Sequence, residues 1–174
     1  MIVALGGLPL TGKSTLARAL ADALSGVLID STALRQVLFP HLVEAPPEVA
    51  DWLYESVLKA AAWNLDTAPP GTVVVLDGRA LTRSRDVQSL HRFASSLGHR
   101  LFIVECVCPD EVARVRAGGA SVSLASLGSA KGADPIAEPK VVVDTRRPVE
   151  HCVTVVVDAV TCVFEDAVNP APTC

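Results

Sequence analysis

The sequence has few lysines and no excess of positive charge. Only four of its 174 residues are lysine, and the formal net charge is −4 at pH 7. Proteins that bind long nucleic acids carry basic patches that neutralise the phosphate backbone. The composition therefore argues against a nucleic-acid partner and favours a small anionic ligand, which a local cluster of arginines can hold.

Long apolar runs are also missing. No run reaches the length of about 20 residues that a membrane-spanning helix needs, and the first 20 residues carry a glycine-rich loop motif instead of the apolar stretch of a cleavable signal. The five cysteines are odd in number and include no C-x-x-C pair, which favours free thiols and a reducing compartment. We therefore expect a cytoplasmic protein without a membrane partner.

Motifs of zinc sites and serine hydrolases are absent as well. The four histidines are scattered, with no spacing typical of metal ligands, at positions 41, 91, 99 and 151. Ser14 is not part of a G-x-S-x-G pattern, which exposes the nucleophile of many hydrolases. What is present is a half-hydrophobic chain, long enough to bury a core, and we expect residues 1–174 to form a single domain.

The most specific feature is the segment 7–14, which matches G-x-x-x-x-G-K-S/T at every fixed position. An apolar run precedes it and a helix-like stretch follows it, the order that this phosphate-binding motif needs. The loop amides and the helix N-terminus would donate to a phosphate chain, Lys13 would reach its β- and γ-phosphates, and Ser14 would ligate Mg²⁺. The predicted nucleotide-binding residues of this segment are Gly7, Leu8, Pro9, Leu10, Thr11, Gly12, Lys13, Ser14 and Thr15.

Apolar runs alternate with helical patterns along the chain. After a first strand at the N-terminus, strands are predicted at 26–30, 72–77, 101–107 and 141–144. Helices are predicted up to about residue 24 and at 34–39, 46–65, 83–97, 109–116 and 149–168. The helical spacing also assigns Trp52 to the core. This alternation predicts an α/β fold with a five-stranded parallel sheet, helices on both faces, and ligands beyond the carboxyl ends of the strands.

Two aspartates end predicted strands at that edge. Asp77 ends the strand expected near the phosphate loop, where a carboxylate can hold Mg²⁺ directly or through water; the alternative is a cap or turn, since Gly78 follows. Asp30 ends the second strand, where a carboxylate can orient an acceptor hydroxyl and take its proton. The alternative for Asp30 is the N-cap of the next helix.

Arginines follow several predicted strands. Their side chains suit phosphate oxygens and the charge that develops on a transferred phosphoryl group. Arg114 and Arg116 are candidate catalytic residues, and Arg146 and Arg147 are candidates for a place beside the nucleotide base. A further cluster after Asp77 consists of Arg79, Arg83 and Arg85. The alternative for any of the candidate catalytic or clustered arginines is a solvated helix face.

Residues 6–17 resemble the opening of small P-loop kinases of the polynucleotide-kinase, zeta-toxin and chloramphenicol-phosphotransferase type. Further matches follow in order over nearly the whole chain, at residues 34–35, 74–77, 102–106, 109–112 and 144–148. The resemblance implies the three-layer P-loop NTPase fold of nucleoside-monophosphate kinases, with ATP and Mg²⁺ as cofactors and Arg35 as a catalytic residue. It also implies transfer of the γ-phosphate of ATP to a hydroxyl group.

The sequence departs from the family pattern at two places. The family has an aspartate three residues before the arginine matched by Arg35, whereas this chain has Thr32 there and Asp30 two residues earlier. The glycine-rich segment 118–137, expected to be a mobile lid, contains no arginine.

We therefore expect an ATP-dependent phosphotransferase that acts on a small molecule, with an acceptor pocket built from the region 35–63 and the lid. One alternative is a nucleotide-binding sensor or partner module with little transfer activity. The other is a polynucleotide or tRNA end kinase. The sequence indicates neither the acceptor nor the oligomeric state.

Overall fold

The computed structural model of the chain describes residues 1–42, 45–118, 134–137 and 139–168. Strands and helices alternate within these ranges. The strands are β1 (Ile2–Gly6), β2 (Val27–Asp30), β3 (Val74–Asp77), β4 (Leu101–Val107) and β5 (Val141–Asp144). The helices are α1 (Lys13–Ala23), α2 (Ser31–Leu38), α3 (Pro47–Thr67), α4 (Ser84–Ser96), α5 (Asp110–Arg116) and α6 (Val149–Val168). Each predicted element is present within a few residues of its expected bounds.

The five strands form one parallel sheet in the order β2-β3-β1-β4-β5. The central strand β1 is buried along its whole length, as expected for a strand covered on both faces. All carboxyl ends of the strands therefore lie at one edge of the sheet. The strand order places β2 and β3 on one side of β1 and β4 and β5 on the other. The predicted five-stranded parallel sheet is confirmed.

Helices cover both faces of the sheet and complete a three-layer fold. On one face α1 and α6 pack over a cluster that includes Val3, Leu20 and Val156. On the other face α3 and α4 cover a second cluster, which includes Val57 and Leu90. The last segment, 149–168, is therefore a helix, as the spacing of its apolar residues predicts, although its many valines favour a strand. No helix among the described residues is both long and apolar enough to cross a membrane.

The prediction that Trp52 lies in the core is wrong. Trp52 is 50% exposed, and its ring packs edge-on against the ring of Phe39, with the ring centroids 5.9 Å apart. The buried stripe of α3 consists of Leu53, Val57 and Ala61, which are spaced by four. Trp52 precedes this stripe by one residue, about 100° around the helix, so the apolar pattern fitted both positions but only one faces the sheet.

The predicted lid, 118–137, lies mostly outside the described residues, and its role stays a prediction for 119–133. Its last part is described and packs against the domain. Asp134 accepts hydrogen bonds from the backbone N–H (2.9 Å) and the hydroxyl (2.8 Å) of Ser84 at the start of α4. Ile136 is only 3% exposed and belongs to the core under α3 and α4. The described end of the predicted lid, residues 134–137, is thus anchored to the domain.

Candidate active site

Residues 7–12 form the phosphate loop, which joins β1 to α1. Gly7 has φ +126°, and a Cβ at this position would overlap the carbonyl oxygen of Cys106. Its N–H donates to the carbonyl of Ala80 at 2.8 Å. Only glycine fits such a close approach with this backbone angle. The motif glycine therefore lets the loop lie directly against the ends of its neighbouring strands.

Lys13 begins α1 and turns back over the loop. Its Nζ donates to the carbonyl of Leu8 at 2.6 Å. Burial lowers the pKa of Lys13, and the nearby Cys106 and Asp77 side chains oppose that shift. The ammonium is thus held inside the loop on a neutral carbonyl. Anionic phosphate oxygens would be stronger partners for it.

Asp77, at the end of β3, is 3% exposed. Among the described residues, neither carboxylate oxygen has a hydrogen-bond partner. A buried carboxylate without a partner is costly, and such an atom pair commonly faces a cation or an ordered water. The Asp77 side chain is not a helix cap, because no amide in the described part of the chain donates to it, although the backbone does bend at Gly78.

These unpaired oxygens fit a magnesium ion. The described residues contain no group of three or more His, Cys, Asp or Glu side chains that could form a complete metal cage. Mg²⁺ does not need one, since it keeps several waters and binds through one or two protein oxygens together with substrate phosphates. The predicted pair, Ser14 and Asp77, matches that donor set.

Asp30 is the Cα register partner of Asp77 in the neighbouring strand. Its Oδ1 accepts from the backbone N–H groups of Thr32 (2.8 Å) and Ala33 (3.2 Å) and so caps α2. Its Oδ2 lies 3.6 Å from the Arg18 guanidinium. The predicted alternative, an N-cap, is therefore present, and the role of catalytic base stays a prediction.

Arg116 ties the phosphate loop to the far side of the sheet. It donates to the carbonyl of Leu10 (3.3 Å), to Thr145 Oγ1 (3.0 Å) and to the Thr145 carbonyl (2.6 Å). The Thr145 hydroxyl in turn donates to the carbonyl of Thr11 at 2.7 Å. Arg116 and Arg114 are both exposed on the same helix, and within the described residues only Arg116 donates to the loop and to Thr145. Sequence reasoning missed Thr145, whose only signal is its place directly after β5.

A cavity of about 560 Å³ lies on the β5 side of the phosphate loop, and we call it the β5-side cavity. Its lining includes Lys13, Ser14, Thr15, Arg116, Thr145 and Arg147. Arg146, the other predicted base-side arginine, does not line it. The Arg146 side chain instead donates to Asp144 and lowers the pKa of that carboxyl to about 2.

A second cavity, of about 540 Å³, lies on the opposite side of the loop, and we call it the β2-side cavity. Its lining includes Pro9 of the loop together with Ser31, Thr32, Arg35, Tyr54 and Arg79. Arg35 also donates to the carbonyl of Leu42. The cavity occupies the region 35–63, where the acceptor pocket was expected, and extends beyond it to the ends of β2 and β3.

The two strand ends meet closely below this cavity. Gly78 has φ +109°, and a Cβ there would overlap Ser31 Oγ. Ser31 and Gly78, which directly follow Asp30 and Asp77, are therefore in close contact. Glycine at 78 makes the approach of the two turns possible.

A parallel β2-β3-β1-β4-β5 sheet with a G-x-x-x-x-G-K-S loop between its central strand and first helix defines a P-loop kinase-like fold. The chain belongs to the AAA domain family, whose model matches residues 2–119. Among curated proteins no match is found.

Solved structures of P-loop kinases share this fold. The APS kinase of Mycobacterium tuberculosis, in complex with AMPPNP and APS, has a TM-score of 0.69 and 19% identity, over 92% of this chain and 96% of that one. A gluconokinase from Sinorhizobium meliloti 1021 has a TM-score of 0.69 and 16% identity, over 97% and 96%. Kti12 of Chaetomium thermophilum, in complex with ADP-AlF3, has a TM-score of 0.64 and 17% identity, over 91% and 98%.

Proposed function

We propose that this protein is an ATP-dependent phosphotransferase that moves the γ-phosphate of ATP to a hydroxyl group of a small molecule. The observation that carries the proposal is the pair of cavities of similar volume, about 560 and 540 Å³, on either side of one phosphate loop. Phosphoryl transfer needs a donor and an acceptor in line across the transferred group. One cavity for each substrate, with the loop between them, meets that need.

In this proposal ATP occupies the β5-side cavity with its phosphates on the loop. The loop amides and Lys13 bind the phosphate oxygens, and Arg147 lies beside the nucleoside. Ser14 and Asp77 are the residues that would hold Mg²⁺, which neutralises phosphate charge when bound. Arg116 keeps the loop in shape through Leu10 and Thr145.

The acceptor occupies the β2-side cavity, where Thr32 and Arg35 offer hydrogen bonds to it. Asp30 is our candidate for orienting the acceptor hydroxyl and taking its proton, because its Oδ2 is outside the α2 cap and its strand partner is Asp77. The geometry supports positioning and charge stabilisation, which supply most of the rate in phosphoryl transfer.

A second candidate function is nucleotide binding with little transfer. Two observations favour it: Asp30 Oδ1 already accepts hydrogen bonds from two backbone amides, and Asp30 is not part of the β2-side cavity lining. In that case the protein acts as a sensor or partner module whose output is its nucleotide state.

The reaction would take place in the cytoplasm. The described cysteines, at 106, 108, 152 and 162, are free thiols, the usual state in a reducing compartment. The net charge of −4 favours a small acceptor over a polynucleotide.

The test is ADP release from Mg²⁺-ATP with and without a panel of hydroxyl compounds. We expect acceptor-dependent release in the wild type and its loss in Lys13→Ala, with the fold unchanged by circular dichroism. Lys59→Ala is the matched control, since Lys59 is exposed on the outside of α3. Nucleotide binding without acceptor-dependent release would favour the second function, and undiminished release in Lys13→Ala would contradict the site.

A further inference from the structure

Arg79 is a fixed cation in the wall of the β2-side cavity. Its Nε and Nη2 donate to the two oxygens of Asp86 at 3.2 and 2.9 Å, and Nη2 also donates to Asp51 at 3.0 Å. Its guanidinium lies 4.8 Å from the centroid of the Tyr54 ring. The side chain is thus held on three sides, by α3, by α4 and by an aromatic face.

Neighbouring carboxylates compensate the positive charge of Arg79. Asp86 has a side chain that is only 10% exposed, so its pairing with Arg79 is weakly screened. Asp51, on α3, adds a second carboxylate, 3.0 Å from Arg79 Nη2. Arg85 lies 3.9 Å from Asp86, and its side chain is two-thirds exposed. The charge of Arg85 is therefore stabilised mainly by water and not by Asp86.

Hydrogen-bond donors nevertheless remain on Arg79. A guanidinium has five N–H groups, and the bonds to Asp86 and Asp51 use those on Nε and Nη2. The two on Nη1 have no acceptor among the described residues. Arg79 therefore offers the cavity donors for oxygen atoms while adding little net positive potential.

Arg35 differs in this respect. Among the described residues its hydrogen-bond partner is the neutral carbonyl of Leu42, and it forms no ion pair. Of the two arginines in the cavity lining, only Arg35 thus has no ion-pair partner within the part of the chain that the structure describes.

We infer that the acceptor of the proposed transfer is a hydroxyl compound that is neutral or carries a single negative charge, and that Arg79 together with its partners Asp51 and Asp86 determines this specificity by disfavouring phosphate esters and other dianions. This inference rests on the proposed function for the identity of the site. A dianion that approaches Arg79 from the cavity would be repelled by Asp51 and Asp86, the two carboxylates bound to that arginine. A hydroxyl or carbonyl oxygen meets donors from Arg79 without that repulsion.

The first experiment does not depend on transfer activity. The protein is saturated with Mg²⁺ and AMPPNP, which fills the phosphate loop, and inorganic phosphate is then titrated by calorimetry. We expect Asp51→Asn to bind phosphate about two- to fivefold more tightly than the wild type, the scale of one exposed ion pair. Glu55→Gln removes the same charge one turn further along α3 and is expected to leave the affinity unchanged. Arg79→Gln leaves Asp51 and Asp86 without their cation and is expected to bind phosphate more weakly than the wild type.

An affinity that is equal in Asp51→Asn and the wild type would overturn the inference, as would tighter phosphate binding in Arg79→Gln. The Asp51 side chain is exposed, so its substitution does not threaten folding and keeps the test decisive if Arg79→Gln is unstable.

The second experiment compares acceptors of matched shape and different charge: sugar alcohols, the corresponding aldonates, and their phosphate esters. We expect ADP release with the first two classes and at least about tenfold lower kcat/KM with the esters. A preference for the esters would overturn the inference and leave the proposed function standing. If no acceptor releases ADP, the proposed function fails, and the phosphate titration still decides the charge of the cavity.

Discussion

Asp30 and Asp77 are register partners at the carboxyl ends of adjacent parallel strands, but within the described residues only the Asp30 carboxylate accepts hydrogen bonds. Asp30 accepts two backbone N–H bonds, whereas both Asp77 oxygens are buried without a partner in the described part of the chain. Two neighbouring carboxylates repel each other unless a cation lies close to one of them. The pair therefore separates two roles that can be tested independently.

Asp77→Asn is expected to weaken nucleotide binding in the presence of Mg²⁺ by about tenfold or more, the equivalent of one charged hydrogen-bond partner. The amide keeps the shape but loses the charge that favours the cation. Calorimetric titration of ADP with and without Mg²⁺ measures the difference, and the exposed Asp66→Asn serves as control. Equal losses with and without Mg²⁺ would assign Asp77 to the fold instead.

Asp30→Asn is expected to lower kcat by roughly 10²–10⁴ while changing ATP affinity little, if Asp30 takes the acceptor proton. Asparagine retains an oxygen for the amides of Thr32 and Ala33, so the cap of α2 survives the change. Steady-state kinetics with the best acceptor measures the effect. Thr32→Asp, which restores the family residue, is the second variant. If Asp30→Asn is nearly as active as the wild type and Thr32→Asp is much more active, Asp30 is only a cap.

Arg116→Met is expected to weaken nucleotide binding by about two- to tenfold, because the loop loses its hydrogen bonds to a charged donor. The expected change in kcat at saturating ATP is smaller, since Arg116 contacts the loop and Thr145. Arg114→Met is the informative comparison on the same helix. A fall in kcat in Arg114→Met with unchanged affinity would assign the charge on the transferred phosphoryl group to Arg114, and the same pattern in Arg116→Met would make Arg116 catalytic.

Cys106 is expected to resist alkylation in the native protein. Burial raises the pKa of its thiol to about 12, so at pH 8 almost none is thiolate. Cys162 is exposed and is expected to react with iodoacetamide before Cys106 does, as peptide mass mapping would show. Equal labelling of Cys106 and Cys162 without denaturant would contradict the buried position.

The same shift has a consequence for stability at alkaline pH. The unfolded chain releases the Cys106 proton near its ordinary value of 9.0, while the folded chain retains it up to about 12. The folded state binds more protons in that window, so this group lowers stability as the pH rises from about 9 to 12. Urea titrations at pH 8 and pH 10.5 on the wild type and Cys106→Ala would isolate this contribution, which the variant should lack.

The sequence was sufficient for those features that depend on local pattern. Buried parallel strands read as apolar runs, and the phosphate-loop motif fixes the backbone around it, so the sheet and the loop followed directly. The position of Asp77 at a strand end was equally informative, and its unpaired oxygens agree with the metal site that we propose.

Features that depend on distant contacts could not be predicted. Arg79 pairs with Asp51, 28 residues earlier, and no pattern in the sequence shows that α3 brings this carboxylate to the end of β3. Thr145 was missed for the same reason. The choice between base and cap for Asp30 also depended on where two amides lie, which side-chain type alone does not specify.

The bond from Thr145 Oγ1 to the Thr11 carbonyl joins positions that are 134 residues apart. A nascent chain therefore contains the entire G-x-x-x-x-G-K-S motif long before it contains the hydroxyl that holds the loop backbone. Closing a contact of this length is slow, because its entropy cost precedes any gain. We therefore expect competence to bind nucleotide to arise late in folding, after β4 and β5 have joined the sheet, and ATP to stabilise only chains that have reached that stage.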